Sequence, residues 1–203
     1  MSRPARRKVS DGTDTRDAIL AAAVDILHRE GAGALTMRSV AGAAGCSTTG
    51  VYTWFGGKNG LVEAIFVDGF KRFGEALLED HLSPPDDRHF ARLGEDYRAW
   101  ALANPTHYMV MFGGAVPDFV PSDEALVAAV ATFDHLVDSM RRVMAEQRIA
   151  GNPVDIAHHL WAGIHGYVSL EITGMDLADD AAMRARRFRN GMALLVRGLL
   201  PPP

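Results

Sequence analysis

Apolar residues recur three and four positions apart along most of this chain, the spacing of one face of a helix. In the stretch TRDAILAAAVDILHREG, starting at Thr15, they put Ile19, Ala22, Ala23, Ile26 and Leu27 on one stripe. Asp14 or Thr15 can cap that helix and Gly31 can end it. Thr36 opens a second, short helix with Met37, Val40, Ala41 and Ala44 facing inward, and Gly45 stops it. After Cys46, Ser47 caps a third, from Thr48 to about Phe55, which Gly56-Gly57 breaks.

The remaining pattern is also helical. A longer helix is expected from about Asn59 to Glu79, with Leu61, Ile65, Phe66, Phe70, Phe73 and Leu77 apolar. Ser83-Pro84-Pro85-Asp86-Asp87 reads as a loop. A helix over about 88–103 ends at Asn104-Pro105, and Pro105 opens a short helix carrying His107 to Phe112. Ser122 caps a helix running to about Ala150; Asn152-Pro153 start another that reaches about Thr173; Asp179 or Asp180 begins the last, to about Leu200. No run alternates apolar and polar residues between hairpin turns. The expectation is therefore an all-α fold of nine helices.

Composition narrows the class. The 203 residues suffice for a core without staples, and 48% hydrophobic with 23% charged residues is a globular balance. The single cysteine, Cys46, cannot close an internal disulfide and fits a reducing compartment, the cytoplasm. No apolar run is long enough to cross a membrane. The net charge of −4 is unevenly spread: residues 1–58 carry eight Lys/Arg against five Asp/Glu, and residues 59–203 thirteen against twenty. A basic end on an acidic body suggests that one end meets a polyanion. Residues 1–12 read as a flexible basic arm, 13–58 as a small helical head, and 59–203 as a separate body.

Two short helices joined by Gly45-Cys46-Ser47 have the make-up of a helix-turn-helix. Val51 and Phe55 anchor the second to a core, leaving small and hydroxyl-bearing residues outward. Such a helix can enter a major groove about 12 Å wide, with hydroxyls and N-terminal amides facing phosphates and base edges. Thr15-Arg-Asp-Ala-Ile-Leu20, Ala34-Leu-Thr-Met-Arg38, Val40-Ala41, Ala44-Gly45-Cys46-Ser47, Val51-Tyr52, Phe55 and Lys58-x-x-Leu61 together resemble the amino-terminal domain of TetR-type (tetracycline-repressor-like) transcriptional regulators, over about residues 13–66.

That resemblance implies a homodimer with two recognition helices on a near-palindromic operator, and a carboxy-terminal domain whose ligand moves the DNA heads apart. The implied DNA contacts are Thr36, Arg38, Ser47, Thr48, Thr49, Gly50, Tyr52, Thr53, Trp54 and Lys58. Thr48 stands where the family usually has lysine, Thr53 and Trp54 where it has histidine and tyrosine, and Gly56-Gly57 where Pro-Ser is frequent. The phosphate roles of Tyr52 and Lys58 transfer more directly than the base-reading roles of the three threonines. Farther on, Trp161 with His165-Gly166, and Tyr97-Arg-x-Trp-Ala-x-Ala-Asn-Pro105, resemble one branch of the family, with a Trp…His-Gly signature.

For the body, the expected partner is a small apolar effector held by Trp100, Tyr108, Met109, Met111, Phe112, Phe133, Trp161 and His165, although stripes of this kind also build plain core. Gly163, Gly166, Ser169, Leu170, Met192, Leu195, Val196 and Leu199 are the expected homodimer face, in a four-helix bundle of the last two helices and their copies. The arginines at 184, 186, 187 and 189 are expected to meet acidic partners or solvent. No nucleophile elbow, phosphate loop or dinucleotide fingerprint is present, and no cofactor is expected. Two other readings stay open: a metal-dependent enzyme using His158, His165 and Glu171, and a DNA-organising protein without a ligand.

Overall fold

Turn chemistry sets the first part of the structure, a computed structural model that describes residues 12–82, 88–147 and 150–199. Helix α1 (Gly12–Glu30) starts ahead of the expected cap and leads to α2 (Met37–Ala44) and α3 (Thr48–Phe55). Thr36 and Ser39 form a reciprocal capping box on α2: the Ser39 amide donates to Thr36 Oγ1 at 3.1 Å and the Thr36 amide to Ser39 Oγ at 3.0 Å. Gly45, at φ +67°, ends α2 in the left-handed region, where a side chain would be strained. Ser47 Oγ then accepts the Gly50 amide at 3.0 Å and opens α3 at once.

The first compact unit reaches Ile65 and takes in Gly114–Val120. Its core gathers Ile19, Leu20, Ala23 and Ile26 of α1, Leu35, Val40 of α2 and Val51 of α3. Leu61, Val62 and Ile65 join them from the start of α4 (Lys58–Leu82). The expected head boundary at residue 58 coincides with the first residue of α4; the packing of the first unit continues beyond it.

The second unit comprises Phe66–Gly113 and the chain from Pro121 onward. Beside the rest of α4 it holds α5 (His89–Ala103), α6 (Pro105–Met111), α7 (Asp123–Gln147), α8 (Pro153–Ile172) and α9 (Ala181–Leu199). Helix α7 is described to Gln147, and Asn152 caps α8 as expected, its Oδ1 accepting the Val154 amide at 2.9 Å. The basic arm before residue 12, the loop over 83–87 and the terminal prolines lie outside the described residues.

Helix α8 is the hub of this unit, packing against α5, α7 and α9. Ala157, Leu160, Ile164 and Val168 form its buried stripe. Glycines set the spacing elsewhere: a Cβ at Gly69 would lie 2.6 Å from Met111 Sδ, so α4 and α6 approach closely only without one. Polar clamps add direction. Arg98 of α5 holds Glu171 of α8 through two hydrogen bonds, at 2.8 and 2.7 Å, and Arg184 of α9 lies 3.4 Å from the same carboxylate. Arg187 pairs with Asp176. Of the arginines at 184, 186, 187 and 189, two thus find acidic partners within their own chain.

Gly60 and Gly42 separate close packing from open space. A Cβ at Gly60 would run into the Phe55 carbonyl oxygen, while one at Gly42 meets nothing within 4 Å. Gly60→Ala should destabilise the protein by about 2 kcal/mol or more. Gly42→Ala, inside α2, should stabilise it by roughly 0.5–1 kcal/mol. Urea unfolding of both variants checks this contrast.

Candidate functional site

Helix α3 presents two faces with different jobs. Val51 and Phe55 are buried, whereas Ser47, Thr48, Thr49, Tyr52, Thr53 and Trp54 are exposed. Tyr52 is 54% and Trp54 44% exposed. Thr53 Oγ1 donates to the Thr49 carbonyl at 2.9 Å, so the hydroxyl is tied to its own helix. Gly50 is half-buried under the Ser47 cap. Thr36 and Arg38, at the start of α2, are exposed too. Lys58 is exposed, but its Nζ donates to the Ala32 carbonyl at 3.0 Å, tying the start of α4 to the α1–α2 connection. Cys46 is half-buried in the turn and unpaired.

The second unit holds a partly open cavity of about 160 Å³. Phe70, Phe73 and Leu77 of α4 form one wall, and Leu93 and Tyr97 of α5 another. Phe112 closes the α6 side; α7 contributes Thr132, Phe133 and Leu136 along with Ala129, and α8 His158, Trp161 and Ile164. No lysine, arginine, aspartate or glutamate lines it.

Behind this wall stands a buried polar cluster. The hydroxyls of Tyr97 and Tyr108 lie 3.1 and 2.9 Å from the same nitrogen, His165 Nδ1. The Trp161 indole N–H reaches the Tyr97 oxygen, and the two phenols interact directly. Burial pushes the Tyr97 phenol up, reinforced by Tyr108 beside it, and pushes Tyr108 up to about 12. Burial also holds the His165 imidazole below its ordinary value. The cluster is therefore neutral across the physiological range. Nearby, Asp68 of α4 lies 2.7 Å from Arg72 and 3.3 Å from His107 of α6. Burial raises its carboxyl, but His107 and Arg72 more than offset that, and it ends below the usual carboxylate value.

Of the residues expected to hold an effector, Phe112, Phe133 and Trp161 line the cavity. Tyr108 and His165 stand behind it, bonded to one another. Trp100 packs on Phe73, Met111 against Gly69 and Met109 against Gly113, none of them at the cavity wall. Sequence reasoning missed Phe70, Phe73, Tyr97, Thr132 and His158 as lining residues; the α4 rings looked like ordinary helical core. Seven aromatic or imidazole rings line the cavity, from α4, α5, α7, α8 and the residue that follows α6, and no local pattern in the sequence marks them as facing one space.

The expected dimer residues divide as well. Leu170 is exposed and Gly166, Ser169, Leu195 and Val196 are half-buried. Met192 is buried against Gly94, and Gly163 makes room for Leu195 of the same chain, so these two serve packing within the chain. The side chain of Leu199 lies outside the described residues. Leu194, Met175 and Leu177 are exposed apolar residues that the sequence reading did not single out as interface.

As for metal binding, no group of three or more potential ligands occurs among the described residues. Glu171 is engaged by two arginines, His165 by two phenols, and His158 Nδ1 lies 3.2 Å from the Val154 carbonyl. No helix among the described residues is long and apolar enough to cross a membrane.

A capped helix-turn-helix with an exposed recognition face, followed by a helical unit with an apolar cavity, is the make-up of a DNA-binding transcriptional regulator. Comparison with known proteins gives its family. Residues 19–65 match the family described as "Bacterial regulatory proteins, tetR family", and residues 90–195 match "Tetracyclin repressor-like, C-terminal domain". The chain belongs to the TetR family of transcriptional regulators. It is 24% identical to the HTH-type transcriptional regulator Rv1816 of Mycobacterium tuberculosis over 206 residues, covering 85% of this chain and 88% of that one. Among solved structures it is similar to the regulatory protein SCO4313, with TM-score 0.77 and 26% identity over 92% of this chain and 97% of that one. It also shares its fold with NalD, the secondary repressor of the MexAB-OprM multidrug efflux pump in Pseudomonas aeruginosa, with TM-score 0.70 and 19% identity over 96% and 100% of the two chains.

The neutral His165 gives a pH signature. Its folded-state value is depressed, so the unfolded chain binds a proton more readily than the folded one. The stability this contributes is present above the unfolded value of about 6.5 and erodes as pH falls below it. Urea unfolding between pH 7 and pH 5 should show a smaller loss of stability for His165→Gln than for the unsubstituted protein.

Proposed function

We propose that this regulator is a homodimeric repressor, working in the cytoplasm, that leaves its operator when a small apolar effector enters the α4–α8 cavity. In this reading residues 13–58 form the DNA head and 59–203 the sensing and dimerisation body. One observation carries the coupling: α4 is unbroken from Lys58 to Leu82, and Phe70 and Phe73 on it line the cavity. A ligand that moves those rings acts on the same rod that leads out of the head. To release DNA it must favour the state whose heads do not fit; a hundredfold preference is worth about 2.7 kcal/mol.

On the operator, α3 enters the major groove. Thr48, Thr49 and Thr53 meet base edges, with Ser47, Gly50 and Trp54 close to the backbone. Tyr52, Lys58, Thr36 and Arg38 hold phosphates. The two half-sites lie about one helical turn, 34–36 Å, or a multiple apart. The exposed Leu170 and Leu194, with Met175 and Leu177, suit a face that a second copy covers through α8 and α9.

Selection from random-sequence DNA, followed by gel shifts, tests this reading. A palindromic site should emerge. Tyr52→Phe and Lys58→Ala should weaken binding to every sequence, Lys58→Ala with a salt slope shallower by about one ion. Thr49→Ala should instead change which base pairs are preferred, each by about 1–3 kcal/mol. A monomer in sedimentation, or no selected site, would overturn the proposal.

A further inference from the structure

Resting on that effector reading, we infer that the cavity is built for a neutral single-ring arene bearing a hydrogen-bond donor, a phenol or an aniline. Size comes first. At about 160 Å³ the cavity matches the class of apolar cavity, about 150 Å³, that admits benzene. Rings on every side, among them Phe70, Phe112 and Phe133, offer the edge and face contacts that an aromatic guest prefers.

Charge comes second. Apart from His158, at the solvent-exposed edge, no acidic or basic side chain lines the wall, so an ionised guest deep in the cavity would lose its hydration without a partner. The neutral phenols and imidazole behind the wall do not compensate. Carboxylates and ammonium compounds are disfavoured accordingly.

The sense of the hydrogen bond comes third, from accounting for each polar hydrogen. Thr132 lines the cavity, and its hydroxyl donates to the Ala128 carbonyl at 2.9 Å. The Trp161 N–H is directed at the Tyr97 oxygen. The Tyr97 hydroxyl lies between Tyr108 and His165 Nδ1, where acceptors take its hydrogen. His158 Nδ1 faces the Val154 carbonyl, a contact that assigns a hydrogen there. These hydrogens are spent within the protein; what remains at the wall is lone pairs on Thr132 and Tyr97. A guest complements them by donating. An ether or a hydrocarbon of equal size leaves them unpaired, the circumstance in which polar sites discriminate most strongly.

Calorimetric titration of the full chain with phenol, anisole, toluene and benzoate tests this, with release of fluorescent operator DNA followed separately. Phenol should bind at least tenfold more tightly than anisole or toluene, and benzoate more weakly than all three. Thr132→Val, which keeps side-chain volume and removes one acceptor, should narrow the gap between phenol and toluene while leaving toluene affinity unchanged. Equal affinity for phenol and toluene, preferential binding of benzoate, or no binding of any arene would overturn the inference. Phenol binding as described without loss of DNA would leave the ligand class standing and remove the effector reading instead.

Discussion

Two phenols share one imidazole nitrogen at the centre of the second unit, and much of that unit follows from it. Tyr97 belongs to α5, Tyr108 to α6 and His165 to α8, so a single atom, His165 Nδ1, ties three helices together. One nitrogen has room for one hydrogen. The second phenol must find another acceptor, and the His165 carbonyl, 3.4 Å from the Tyr108 hydroxyl, provides one. Buried polar groups are tolerable only when satisfied, and this arrangement satisfies them without any net charge. It supports an apolar cavity wall while imposing a fixed geometry that hydrocarbon packing would leave looser. The Arg98–Glu171 pair repeats the principle with full charges, on the other side of α5 and α8 contacts, where Phe188 also covers the guanidinium.

Close approach by glycine supplies the complementary constraint. Gly69 against Met111, Gly163 against Leu195 and Gly191 against Tyr167 are places where one helix leaves out a side chain so that another can insert one. Each contact fixes axial register as well as distance, because the inserted group fits at one level only. Of the three, the contact of Gly69 with Met111 joins α4 to α6, which bear on the cavity; the other two join α8 to α9, and α9 lines none of it.

The helices were legible in the sequence because their signals are local. Thr36, Gly45, Ser47 and Asn152 cap what they were expected to cap, and the stripe of α1 is buried apart from the half-buried Ala22. The family was legible for the same reason, since its head motif is a run of short-range turns. The cavity was less so. Phe70 and Phe73 continue an ordinary core stripe along α4, and nothing local separates a ring facing another ring from one facing a space. Trp100 and Met111 illustrate the converse: both look suited to a pocket and both are filled by neighbours, Phe73 and Gly69. The role of Tyr97 depends on His165, 68 residues away, a relation no periodicity encodes. The arginines at 184, 186, 187 and 189 are expected to meet acidic partners or solvent, but which carboxylates two of them meet, Glu171 and Asp176, only the fold shows.

The tether from Lys58 to the Ala32 carbonyl has a bearing on cost as well as position. A free lysine side chain surrenders up to about 2 kcal/mol of rotamer freedom when it is immobilised. Here part of that loss is incurred when the chain folds, and the ammonium keeps two hydrogens for another acceptor. A phosphate meeting it encounters a cation already held in place, so less of the attraction is consumed in ordering the side chain that provides it.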